Sequence, residues 1–109
     1  MATTYKVLGQ VNPSATTATT LYTTPSSTST VVSTISVCNQ ASSAATFRIA
    51  VRPAGATLEA KHYIVYGATV PASDATFFTL GLTLATTDVV TVYASSANLS
   101  FNAYGSEIA

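Results

Sequence analysis

The sequence predicts an all-β fold: a single-domain antiparallel β-sandwich of jelly-roll or immunoglobulin-like type, with about eight strands over residues 1–109 and no substantial helix. Three observations predict it. Val, Ile, Thr, Tyr and Phe recur in short alternating runs, separated by clusters of Pro, Gly, Ser, Asp and Asn. The runs follow one another at the spacing of roughly 8 to 12 residues typical of sandwiches and barrels. Hydrophobic residues make up 48% of the chain and charged ones only 7%, which is apolar material enough for one core in 109 residues.

The first run, TTYKVLG at 3–9, places Tyr5 and Val7 on one side and Lys6 and Leu8 on the other. The segment 1–14 that contains it is expected to be an extended N-terminal arm that contacts a neighbour. TTLYTTP at 19–25 is a second strand stopped by Pro25, and PSSTS supplies a turn. TVVSTISVCN at 30–39 follows, with Val31, Ile35 and Val37 read as one face and Thr34, Ser36 and Cys38 as the other. In TFRIAVRP, Phe47, Ile49 and Val51 form a buried row opposite Thr46, Arg48, Ala50 and Arg52, and Pro53 ends the strand. The linker QASSA has hairpin length, so 30–39 and 45–52 are expected to pair as a hairpin. PAGATLEAK is the only candidate for a helical turn, and it is short. HYIVYGATVP, FFTLGLTL, DVVTVYAS and NLSFNAYGSE complete the set, with Gly81 marking a bulge or close backbone approach and Leu99, Phe101 and Ala103 facing the core.

Charge excludes several functions. Four basic and four acidic residues give a formal net charge of zero, and Lys6, Arg48, Arg52 and Lys61 are too scattered to replace the counterions of a nucleic acid. No apolar run approaches the roughly 18 residues needed to span a bilayer. The opening MATTYK lacks the pattern of a secretory signal, and the single cysteine, Cys38, forms no internal disulfide, so synthesis and folding in a cytoplasm are expected. A hydroxyl-rich neutral surface carries little repulsion against self-association.

No catalytic set is legible. His62 is the sole histidine, and Cys38 lies within a strand that offers nothing to lower its pKa. No Cys or His stands at metal-ligand spacing, and no cofactor is expected. Asp74 and Asp88 each precede a strand after short polar residues, the setting of an Asx turn. Arg48 and Arg52 share one strand face and have few acidic neighbours, which reads as a docking face for a partner's carboxylate. Arg48, Arg52, Lys61 and His62 are therefore the candidate polar contacts of an interface, with Tyr63 and Tyr104 as anchors.

Three long stretches carry a family resemblance: YKVLGQVNPSATTATTLYTTP, VVSTISVCNQASSAATFRIAVRPAGATLEAKHYIVY and LGLTLATTDVVTVYASSANLSFNAYGSEI. Nearly the whole chain resembles a family of small structural proteins of tailed bacteriophages, notably phages of cyanobacteria and other marine bacteria. Its most specific pieces are VCN through FRIAVRP, KHYIVY, TTDVVTVYAS and F-x-x-Y-G-S-E. The resemblance implies a virion component with an all-β fold and no enzymatic activity. The leading expectation is a decoration or cement protein on the outside of the head, a homo-oligomer such as a trimer that binds the major capsid protein. The alternatives are a tail, neck or fibre module, and a carbohydrate-binding sandwich whose exposed tyrosines stack on host sugars; tryptophan, the stronger platform, is absent.

Overall fold

Residues 2–109 are described by a computed structural model. Eight strands run in chain order as β1 (Thr3–Val11), β2 (Thr19–Thr23), β3 (Ser29–Asn39), β4 (Ala45–Arg52), β5 (Tyr63–Val70), β6 (Ala75–Leu84), β7 (Val89–Ala94) and β8 (Leu99–Ile108). Two short 3-10 turns, Pro53–Gly55 and Ala60–His62, are the helical content of the described residues, the first within the stretch expected to hold a helical turn and the second running one residue past its end. The strands form two antiparallel four-stranded sheets, sheet I in the order β1-β8-β3-β6 and sheet II in the order β2-β7-β4-β5. The chain crosses between sheets at every connection except β4–β5. That order is the double Greek key of a jelly roll, which decides between the two sandwich types the sequence allowed.

The core lies between the sheets. Val32, Ile35, Val37, Leu99, Phe101 and Ala103 from sheet I meet Phe47, Ile49, Val90, Val92 and Ala94 from sheet II. Phe47 packs edge-on against both Phe78 and Phe101, with ring centroids 5.8 and 6.1 Å away. Leu99, Phe101 and Ala103 face inward as the alternation required.

Two sequence expectations are corrected. Residues 30–39 and 45–52 are not a hairpin, because β3 belongs to sheet I and β4 to sheet II. The linker between them turns a corner held by the buried side chain of Asn39. Its Nδ2 donates to the carbonyls of Ser43 (2.9 Å), Val70 (3.3 Å) and Pro71 (3.2 Å), and its Oδ1 accepts from the Ala41 N–H (2.9 Å). Val31 is the other correction: Val32 is the buried residue, and Val31 lies on the outer side. A bulge at Ser33, where the register with β8 slips between Val32 and Thr34, exchanges the faces.

That slip is one point in a band of bulges across sheet I. Leu8 is the extra residue of β1 against β8, and Leu80–Gly81 supply the extra residue of β6 against β3. Gly81, at φ +62°, is the bulge its place among the leucines foretold. At Gly105, in the same band, an added Cβ would overlap the Val31 carbonyl, so only glycine lets β8 and β3 approach there. The expected N-terminal arm, of which residue 1 lies outside the described residues, pairs along β8 from Thr3 to Val11 and leaves its other edge without a strand partner.

Candidate functional site

The outward face of sheet I follows from strand alternation on either side of the bulge band. Across its strands run the rows Tyr5–Ser106–Val31–Thr83, Val7–Tyr104–Thr34–Thr79 and Gln10–Asn102–Ser36–Phe77. None of these side chains is charged. Tyr5 (84% exposed), Phe77 (68%), Val7 and Tyr104 stand open on it, and Leu80 is exposed in the bulge beside them. Cys38 lies half-buried on the same face, with its thiol free.

The outward face of sheet II is different. The Arg48 guanidinium lies between two tyrosine rings, 4.2 Å from the centroid of Tyr66 on β5 and 4.1 Å from that of Tyr93 on β7. Cross-strand register dictates the stack, because Arg48 on β4 pairs with Tyr66 on one side and Tyr93 on the other. Tyr63 meets Tyr66 edge-to-face. Among the described residues Arg48 makes no ion pair and no side-chain hydrogen bond.

Arg52 is engaged within the chain. Its Nε donates to Thr91 Oγ1 (3.0 Å), and a terminal nitrogen donates to the carbonyls of Gly55 (3.2 Å) and Ala56 (2.9 Å), strapping the 53–56 turn to β7. Asp88 ties the same turn from below, accepting from the N–H groups of Ala54 and Ala85, both at 2.8 Å, while Asp74 accepts from Ala75 N–H in its own turn. Both carboxylates hold turns, as expected, but neither makes the i to i+2 bond of an Asx turn: Asp74 accepts from the next residue, and Asp88 from three residues back and from the distant 53–56 turn.

The remaining candidates sit in or beside the 53–62 loop. His62 is buried, with its Nδ1 accepting the Glu59 N–H at 3.0 Å. Lys61 and Glu59 form an exposed pair at 3.5 Å, a contact that contributes little to stability. So the structure gathers Arg48 and Tyr63 on the sheet II side, spends Arg52 and His62 on the loop, leaves Lys61 exposed, and puts Tyr104 on the opposite sheet. Tyr5, Phe77 and Leu80 were not among the expected contacts. The Phe77–Phe78 doublet carried a signal, because adjacent strand residues face opposite ways and one ring had to point outward.

One polar cluster closes the end of the sandwich. Glu107 accepts from the Tyr22 hydroxyl at 2.5 Å and from Lys6 Nζ at 3.3 Å, and the Tyr22 hydroxyl also meets Thr30 Oγ1 at 2.8 Å. The Tyr22 hydrogen bond, helped by Lys6 and opposed by burial, holds the Glu107 carboxyl below its ordinary range. Burial, with the Glu107 carboxylate adding to it, pushes the Tyr22 phenol up to about 12.

Among the described residues, no three His, Cys, Asp or Glu side chains group as a metal site, and no helix is long and apolar enough to cross a membrane. Neither any protein-family profile nor any curated protein matches this chain, so its own two faces are what point to its role.

Proposed function

We propose that this chain is a non-enzymatic structural subunit of a phage particle, a head decoration protein that assembles as a symmetric oligomer, a trimer, and binds the major capsid protein from outside. The observation that carries the reading is the uncharged outward face of sheet I, with Tyr5, Val7, Phe77 and Tyr104 exposed. Interface cores are depleted of charge and enriched in aromatic residues, as this face is. Its edge strand β6 has no charged residue along Ala75–Leu84 to deter pairing with another chain. The jelly roll is compatible with this role by analogy alone, since the same architecture serves capsids and lectins. Binding only to the assembled shell stabilises it by mass action.

The test is stoichiometry. Quantified against the major capsid protein in purified particles, the chain is expected at a ratio near one or a simple fraction of it. A trace ratio moves it to the tail, neck or fibre, the second reading, which the aromatic stack on sheet II favours. Absence from particles overturns both. Phe77→Glu is expected to fold normally yet fail to load onto particles, because it buries an unpaired charge in the contact.

A further inference from the structure

Beside β5, an edge strand of sheet II, lies an open groove of about 620 Å³ lined by Leu58, Glu59, Ala60, Tyr63 and Tyr66. The two tyrosine rings stand at 85° with centroids 4.9 Å apart, so the groove has two aromatic walls at right angles. Tyr66 is 65% exposed although Arg48 packs over its ring and Tyr63 meets it edge-to-face, so much of it remains open to a ligand. Arg48, packed over that ring, fixes its plane in advance, so a ligand need not bear the cost of ordering it.

The chemistry of the lining selects among occupants. An apolar side chain from a partner would fill the aromatic corner but strip water from the exposed Glu59–Lys61 pair and offer nothing in its place. A cationic ligand would suit both tyrosines and carboxylate, but Arg48 already occupies Tyr66 and Lys61 stands 3.5 Å from Glu59. Those two charges repel a third. A neutral pyranose meets every demand: its C–H face lies on the negative face of a ring, and its rim of hydroxyls donates to Glu59. The volume suits one or two sugar units. We propose that Tyr63, Tyr66 and Glu59 form a binding site for a neutral pyranose of a glycan, with Arg48 as the residue that positions Tyr66.

This site stands apart from the shell contact, on the opposite sheet, and its failure would leave the stoichiometry test untouched. The experiment titrates the isotope-labelled full chain with cellotriose, maltotriose and lactose, and separately with choline and a proline-rich peptide, following backbone amide resonances. Neutral sugars at millimolar concentration are expected to shift amides clustered over 58–66. Tyr66→Ala should weaken binding roughly tenfold, Glu59→Gln about threefold, and Tyr66→Phe, which keeps the ring, should bind almost as the parent does. Circular dichroism confirms that each variant is folded. Shifts from choline or the peptide without shifts from any sugar overturn the proposal, as does silence across the three sugars or a folded Tyr66→Ala that binds undiminished.

Discussion

At Glu107 three strands' worth of side chains converge: Lys6 from β1, Tyr22 from β2 and the carboxylate itself on β8. Because the folded carboxyl titrates below its unfolded value, its contribution is complete above the ordinary carboxylate range and is lost as pH falls through the depressed folded value. Urea midpoints measured against pH should therefore drop on the acid side, and Glu107→Gln should flatten that limb while costing about 1–2 kcal/mol at neutral pH. Tyr22 has the opposite sign. Its phenol is raised from 10.0 to about 12, so its contribution is whole below 10.0 and fades as pH rises toward 12. Ala54 offers a change in the stabilising direction. It sits at φ +53°, and its side chain makes no hydrogen bond. Ala54→Gly is expected to raise stability by about 0.5–1 kcal/mol, the relief of left-handed strain outweighing the added freedom of the unfolded chain. Thermal unfolding checks it.

Among the elements, the β3–β4 crossover depends most on a single side chain. Asn39 is 1% exposed and saturates its amide with one acceptor and three carbonyl contacts, binding the 40–44 corner to the end of β5. Asn39→Ala leaves those buried groups unpaired and is expected to destabilise the fold by about 2–4 kcal/mol, measured by denaturant unfolding. Asn39→Asp distinguishes the roles of its two ends, since it keeps the acceptor for Ala41 N–H and loses the donor. The bulges act at the same scale: the extra residue at Ser33 leaves Val31 and Thr34, three apart in β3, both on the outer face, opposite Ser106 and Tyr104.

For the molecule as a whole, charge is distributed by region. Apart from Arg48 and Asp74, the charged side chains lie toward the end that holds the 53–62 loop and the Glu107 cluster. Sheet I presents none on its outer face. Self-association through that face is expected to be nearly indifferent to salt between about 0.1 and about 1 M, since there is no ion pair across it to screen. Sedimentation or light scattering reads the oligomer mass directly. A mass that falls steeply with salt would shift the contact to the charged end.

How much of this was legible depends on whether the information is local. Strand existence was, because a period of two in TVVSTISVCN or NLSFNAYGSE requires no partner to be recognised. The carboxylate turns at Asp74 and Asp88 and the bulge at Gly81 were local too. Of the contact residues, Arg48 and Tyr63 were readable as exposed polar and aromatic positions, but their joining with Tyr66 and Tyr93 came from cross-strand register. Arg52 and His62 looked equally available in sequence and were taken up by partners three and four residues away, within a loop whose irregular backbone no strand alternation describes. The sequence by itself determined that the chain would be an all-β sandwich with a neutral exterior, since alternation and composition are properties of the chain alone. Tertiary structure alone decided that β3 crosses to the other sheet, that Val32 replaces Val31 in the core, and that the exposed aromatics divide between two faces, because pairing partners and bulges are fixed by long-range hydrogen bonds that no short window of sequence contains.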